Sequence, residues 1–164
     1  MTLYFYQKKA CHKSVDTDKM IAESIRRRLG VGGEIKILRT ELGKPYIENM
    51  PIYVGVTHTD DTVIIALDDK NFGIDCECKD RTQKNAEKIA ERYFTENELR
   101  CILDSADKDK MFLDIWVKKE AYVKFTGRGL SGMKTCDVTT LSDFERIEND
   151  RNLIIYVYKE KNNE

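Results

Sequence analysis

Hydrophobic residues recur along this chain at two spacings, and the switches between them mark its elements. Residues 3–6 make a first, short β-type run. From Met20 the spacing turns helical: Met20, Ile21, Ser24, Ile25, Arg28 and Leu29 form an i, i+4 stripe broken by polar positions. Asp16, Thr17 and Asp18 supply capping-type residues ahead of it, and Gly30, Gly32 and Gly33 end it. Strand character returns at 34–39 and in the β-branched alternation of 52–57. Thr59-Asp60-Asp61-Thr62 then reads as a hairpin turn into a returning strand at 63–67. A polar turn at 68–71 leads to Phe72-Gly73-Ile74-Asp75-Cys76-Glu77, a further short strand.

The second half is more helical. Ala86, Ile89, Ala90 and Tyr93 share one helical face. Thr95-Glu96-Asn97-Glu98 is a capping-box sequence, opening a helix with Leu99, Ile102 and Leu103 on its inner side. A charged break at 105–109 precedes a strong helix at 111–125, ended by Gly127 and Gly129, with Phe112, Ile115, Trp116, Lys119, Tyr122 and Val123 on its broad face. Residues 144–147 and 153–158 read as closing strands, and 159–164 as a polar tail. Each half therefore reads as helix followed by strands, which predicts an α+β fold with no linker between pseudo-halves of about 1–69 and 70–164.

Composition narrows the function classes. At 164 residues the expectation is one domain with a real core. A net charge of −1 argues against a general nucleic-acid binder. No apolar run approaches the ~20 residues of a membrane span, and the first residues do not read as a signal peptide. Cys11, Cys76, Cys78, Cys101 and Cys136 are odd in number and scattered, which favours reduced thiols in a cytoplasm. Only Cys76 and Cys78 are close, too few for a structural zinc site.

The candidate chemistry sits on two elements. In a strand, Asp75 and Glu77 project to one face; in a helix, Trp116, Glu120 and Lys124 stack turn above turn. Three carboxylates and a lysine fit a hard divalent cation such as Mg²⁺ together with a phosphorylated ligand. Each piece alone has a plainer reading: a D-x-E pair is mostly structural, and an E-x-x-x-K pair is usually a surface ion pair worth little. Lys44 in a Gly-Lys-Pro turn reads first as exposed, and His58 as a hydrogen-bonded structural residue. Thr57, His58 and Thr59 together do suit phosphate oxygens. Arg26, Arg27 and Arg28 read as a solvated helix end that complements the macrodipole.

The order and spacing of the pieces is more specific. Gly43-Lys44-Pro45, Thr57-His58-Thr59, Gly73-Ile74-Asp75-Cys76-Glu77, Arg92-Tyr93-Phe94-Thr95-Glu96-Asn97-Glu98 and Trp116-Val117-Lys118-Lys119-Glu120-Ala121-Tyr122-Val123-Lys124 succeed one another, followed by Gly127-Arg128-Gly129-Leu130-Ser131. This succession, over roughly residues 12–140, resembles the 4′-phosphopantetheinyl transferases, in particular the peptide-synthetase-activating (surfactin-type) members. The resemblance implies two pseudosymmetric halves with the active site in the cleft between them. It implies that the phosphopantetheine arm of coenzyme A moves to a serine of an apo acyl- or peptidyl-carrier protein, releasing 3′,5′-ADP, in fatty-acid, polyketide or nonribosomal-peptide synthesis.

The resemblance also assigns residues. Asp75, Glu77 and Glu120 match the Mg²⁺ ligands, with Mn²⁺ an alternative ion. Lys124 matches the lysine that contacts the pyrophosphate, and Lys44, Thr57 and His58 the cluster on the coenzyme A 3′-phosphate. Glu120, or a metal-bound water near it, is the candidate base. The usual Ser-His-Ser reads Thr57-His58-Thr59 here. The N-terminal portion is short, so Lys13, Lys19 or the Arg26–Arg28 run are the basic residues left for the nucleotide. Lys118, Lys119 or Arg128 would draw an acidic carrier helix. A compact cytoplasmic monomer is expected, with no membrane or nucleic-acid partner. The competing readings are a non-catalytic coenzyme A or carrier-binding module and a different Mg²⁺-dependent phosphotransferase or hydrolase. No Walker-type loop supports the latter.

Overall fold

In the computed structural model, residues 1–8, 16–82 and 85–160 are described. Cys11, Lys13 and the last residues of the polar tail lie outside them. The fold is a mixture of helices and antiparallel sheet, in two compact units, Met1–Phe72 and Gly73–Glu164.

The first unit is a five-stranded antiparallel sheet with one helix. Strands β1 (Thr2–Gln7), β2 (Ile37–Arg39), β3 (Pro45–Ile47), β4 (Tyr53–His58) and β5 (Thr62–Asp68) lie in the order β1-β5-β4-β3-β2. The hairpin of β4 and β5 pairs Thr57 with Ile64 and His58 with Val63. Helix α1 (Thr17–Leu29) is capped by Asp16, whose Oδ1 accepts from Lys19 N at 3.0 Å, and stops at Gly30 in a left-handed conformation. Its Ile21 and Ile25 pack with Val54, Val63, Ile65 and Leu67 in the core of the unit. β5, which lies between β1 and β4, is buried at every position. β2 is shorter than the strand expected over 34–39.

The second unit places one long helix between a sheet and a helical layer. Strands β6 (Gly73–Cys78), β7 (Phe144–Arg146) and β8 (Leu153–Tyr158) form an antiparallel sheet in the order β6-β8-β7. Helices α2 (Ala86–Tyr93), α3 (Glu96–Asp104) and α4 (Lys108–Thr126) precede a 3₁₀ segment, Leu130–Thr135. The capping box at α3 is present in both halves: Thr95 Oγ1 accepts from Glu98 N at 3.3 Å, and Glu98 Oε2 from Thr95 N at 2.8 Å. Leu103, expected inside α3, is exposed. α4 begins within the expected break, because Asp107 caps it by accepting from Lys110 N at 3.0 Å.

α4 is buried on opposite sides. Leu113, Val117 and Ala121 pack with Ile154, Tyr156 and Tyr158 of β8, while Phe112 and Ile115 pack with Ala90, Phe94, Cys136 and Val138. A helix apolar on both sides cannot be solvated on either, so α4 becomes the central element of its unit.

Candidate active site

β6 delivers two carboxylates to the helix-facing side of its sheet. Gly73, Asp75 and Glu77 pair with Tyr158, Tyr156 and Ile154, the β8 residues that pack on α4. Cross-strand partners share a face, so Asp75 and Glu77 face α4 too. Both are nearly buried, at 7% and 8% exposure. Gly73 makes the close approach possible: a Cβ there would lie 1.9 Å from the Ala121 carbonyl oxygen and 2.4 Å from the Phe125 nitrogen.

α4 answers with Glu120 and Lys124, one turn apart. Lys124 Nζ donates to Asp75 Oδ1 at 2.7 Å. Burial alone lowers the pKa of this ammonium, but the Asp75 charge and hydrogen bond outweigh it, and the net direction is upward. The Glu120 carboxyl is pushed up to about 7, first by burial and then by the Asp75 charge; Lys124 opposes this and Glu77 adds to it. Of the residues that sequence spacing singled out, Glu120 thus lies within electrostatic reach of Asp75, Glu77 and Lys124.

Sequence reasoning missed Arg81. It reaches back from the turn after β6, where its backbone N–H donates to Cys78 O at 3.1 Å, and its Nη1 forms an ion pair with Glu77 Oε1. Its i, i+4 spacing from Glu77 was the only signal, and outside a helix that spacing carries no information.

Among the described residues, no three histidine, cysteine or acidic side chains stand close enough to hold one metal ion. Asp75 and Glu77 are instead turned to Lys124 and Arg81. The donor set nevertheless suits a hard divalent cation. Three carboxylates from facing elements offer only oxygen, and their mutual repulsion, felt in the raised Glu120 pKa, is relieved by positive charge.

The other expected site residues belong to the first unit. Lys44 Nζ donates to Asn71 Oδ1 at 2.9 Å and to Phe72 O at 3.3 Å, and burial lowers its pKa. Thr57 and His58 are successive residues of β4, so their side chains leave opposite faces; Thr57 is buried and His58 exposed.

On its other side, α4 corrects one expectation. Lys119, taken as surface for an acidic partner, is 1% exposed. Its ammonium donates to both Glu98 carboxylate oxygens, at 2.9 and 2.7 Å, and to Cys136 O at 2.7 Å. Glu98 further accepts from the backbone N–H groups of Thr95 and Val138, each at 2.8 Å. Only such complete pairing lets two charges stay buried. Lys118 is held by Asp114 at 2.7 Å, and Arg128 is exposed.

A family model described as "4'-phosphopantetheinyl transferase superfamily" matches residues 71–160, which contain all of β6, α4 and the residues gathered around them. The chain belongs to the 4′-phosphopantetheinyl transferase superfamily. It is 32% identical over 132 residues to 4′-phosphopantetheinyl transferase Sfp of Bacillus subtilis, covering 77% of this chain and 57% of that protein. To the 4′-phosphopantetheinyl transferase gsp of Aneurinibacillus migulanus it is 30% identical over 125 residues, 74% of this chain and 51% of the relative. The transferase HetI of a Nostoc species is 28% identical over 113 residues, 65% of this chain and 47% of its own length. The chain therefore spans about half the length of the curated relatives it matches. No helix among the described residues is long and apolar enough to cross a membrane.

Proposed function

We propose that this chain transfers the 4′-phosphopantetheine arm of coenzyme A to a serine of an apo acyl- or peptidyl-carrier protein, in a Mg²⁺-dependent reaction. The observation that carries this reading is the meeting of Asp75, Glu77, Glu120 and Lys124 across β6 and α4, in a chain of this superfamily. Asp75, Glu77 and Glu120 would hold the ion, Mn²⁺ being an alternative. When bound, the ion neutralises pyrophosphate charge and orients that group.

The residues divide the remaining work. The serine oxygen forms a new bond to the phosphorus that bears the pantetheine arm, and the bond from that phosphorus to the bridging pyrophosphate oxygen breaks. The leaving group is 3′,5′-ADP. Glu120 takes the serine proton: burial and the Asp75 charge push its pKa up to about 7, close to the pH at which a general base works best. Lys124, kept protonated by Asp75, is placed to balance charge developing on the pyrophosphate oxygens. Lys44, Thr57 and His58 are the proposed holders of the 3′-phosphate. Because Thr57 and His58 leave opposite faces of β4, the two side chains do not reach one phosphate from the same face of the strand.

The test is release of 3′,5′-ADP from coenzyme A. It should require carrier protein and Mg²⁺, cease with EDTA, and fall by at least about a hundredfold in Glu120→Gln. Normal turnover by Glu120→Gln would remove Glu120 from both roles. Coenzyme A binding without any ADP release, across carriers of both types, would favour a binding module.

A further inference from the structure

We propose that Asp114 and Tyr156 are positioning residues: their hydrogen bond fixes the register of α4 on the sheet of β6, β8 and β7, and so keeps Glu120 in place when Lys124 is drawn off Asp75. This rests on the proposed reading of Asp75, Glu77 and Glu120 as metal ligands and of Lys124 as a pyrophosphate contact.

The sheet sets the pieces in one row. Tyr156 of β8 is the cross-strand partner of Asp75 on β6 and of Arg146 on β7, so the three side chains share the face that α4 covers. At the Asp75 end of the row, α4 is fastened through Lys124, 2.7 Å from Asp75 Oδ1. Farther along, it is fastened through Asp114. Asp114 Oδ1 accepts from the Tyr156 hydroxyl at 2.6 Å, and its Oδ2 accepts from Lys118 at 2.7 Å. Arg146 Nη1 stands 3.9 Å from the same Oδ1, and the Lys118 ammonium 4.8 Å from the centre of the Tyr156 ring. Tyr156 is buried, and burial followed by the Asp114 bond pushes its pKa up, so its hydroxyl stays a donor.

The two fastenings differ in what a filled site does to them. About 15 Å of helix separates Asp114 from Lys124, and Glu120 lies between them. A cation on Asp75 competes with the Lys124 ammonium for the same carboxylate, and pyrophosphate attracts that ammonium. The fastening inside the site is loosened whenever the site is occupied. The Asp114–Tyr156 bond uses no group of the site and persists. Leu113, Val117 and Ala121 also pack on β8, but apolar burial is non-directional and sets the closeness of the helix more than its register. A short, charge-assisted bond is directional. Glu120 is the proposed ligand carried by α4, so an error of register falls on it.

The experiment is Mn²⁺ binding to the full chain without coenzyme A, followed by electron paramagnetic resonance of the free ion. Wild type, Tyr156→Phe, Asp114→Leu, Asp114→Asn, Glu120→Gln and the Glu120→Gln/Tyr156→Phe double variant are compared. The expected result is a loss of about tenfold in affinity for Tyr156→Phe and Asp114→Leu at unchanged stoichiometry, the lower end of what losing an outer supporting contact costs a metal site. Asp114→Asn, whose amide oxygen still accepts from the hydroxyl, should stay within about twofold of wild type. Tyr156→Phe should have no further effect once Glu120 is Gln. Unchanged affinity in Tyr156→Phe, with wild type binding Mn²⁺, overturns the role of the bond and leaves the metal site standing. Fewer sites of unchanged affinity also overturn it, because the bond would then serve stability alone. So does an equal loss in the Glu120→Gln background, where the effect would not pass through Glu120, or an Asp114→Asn protein as weak as Asp114→Leu, where Asp114 would act through its charge. No Mn²⁺ binding by wild type overturns the metal-site reading, and this proposal with it.

Discussion

Adding one methyl group at Gly73 tests whether the close approach of β6 and α4 builds the site. In Gly73→Ala the new Cβ would fall 1.9 Å from the Ala121 carbonyl oxygen, 2.4 Å from Phe125 N and 2.9 Å from Phe125 Cβ. Carbon and carbonyl oxygen ordinarily meet at about 3.4 Å, so strand and helix must part by roughly 1.5 Å. The obstruction is mostly backbone, which cannot rotate aside as a flexible side chain can. Overpacking costs about 1–3 kcal/mol in general, and this contact belongs at the upper end, near ~3 kcal/mol. For a chain of this size that corresponds to a fall in Tm of about 6–12 °C. The same displacement stretches the 2.7 Å contact between Lys124 and Asp75 beyond ion-pair range and separates Glu120 from both β6 acids. Calorimetry and Mn²⁺ binding on the same samples give the two readouts. A loss below about 1 kcal/mol with unchanged Mn²⁺ affinity would refute the claim that this packing sets the site.

Other perturbations separate fold from chemistry. Lys119→Met should cost about 3–5 kcal/mol because Glu98 is left buried without its cation, and adding Glu98→Gln should recover much of that loss; a single variant as stable as wild type in urea would contradict the pairing. Thr95→Ala removes one half of the α3 capping box and should cost about 1 kcal/mol, read from the urea midpoint; no change would mean the cap contributes nothing. In EDTA, the raised pKa of Glu120 makes its contribution to stability fully present below pH 4.5 and lost as pH rises towards about 7. After discounting for its partial exposure to water, the loss is about 2 kcal/mol. Glu120→Gln should therefore flatten the pH dependence of Tm between pH 5 and 8, and an unchanged slope would refute the assigned shift.

The parts of the site that the sequence revealed were those with a local period. Strand alternation paired Asp75 with Glu77, and the helical repeat aligned Glu120 with Lys124. What it hid were relations set by packing. Lys119 looked like surface because lysine usually is, and its partner Glu98 is 21 residues away on another helix. The capping box was visible at Glu98, but not that the same carboxylate also accepts from Val138 N, 40 residues on. α4 was legible as a strong helix with a broad face, but not that its apolar residues serve two clusters on opposite sides. At Leu103 the apolar pattern continued one position past the buried face. Arg81 depends on a turn whose course no periodicity records.

The central claim, that the β6 and α4 cluster transfers a phosphopantetheine arm, is tested most directly by the intact mass of a purified apo carrier protein. The carrier is incubated with this chain, coenzyme A and Mg²⁺. The account predicts a gain equal to one phosphopantetheine group, lost on adding EDTA and absent in Asp75→Ala. An unmodified carrier under all conditions, across acyl- and peptidyl-type carriers, would contradict it.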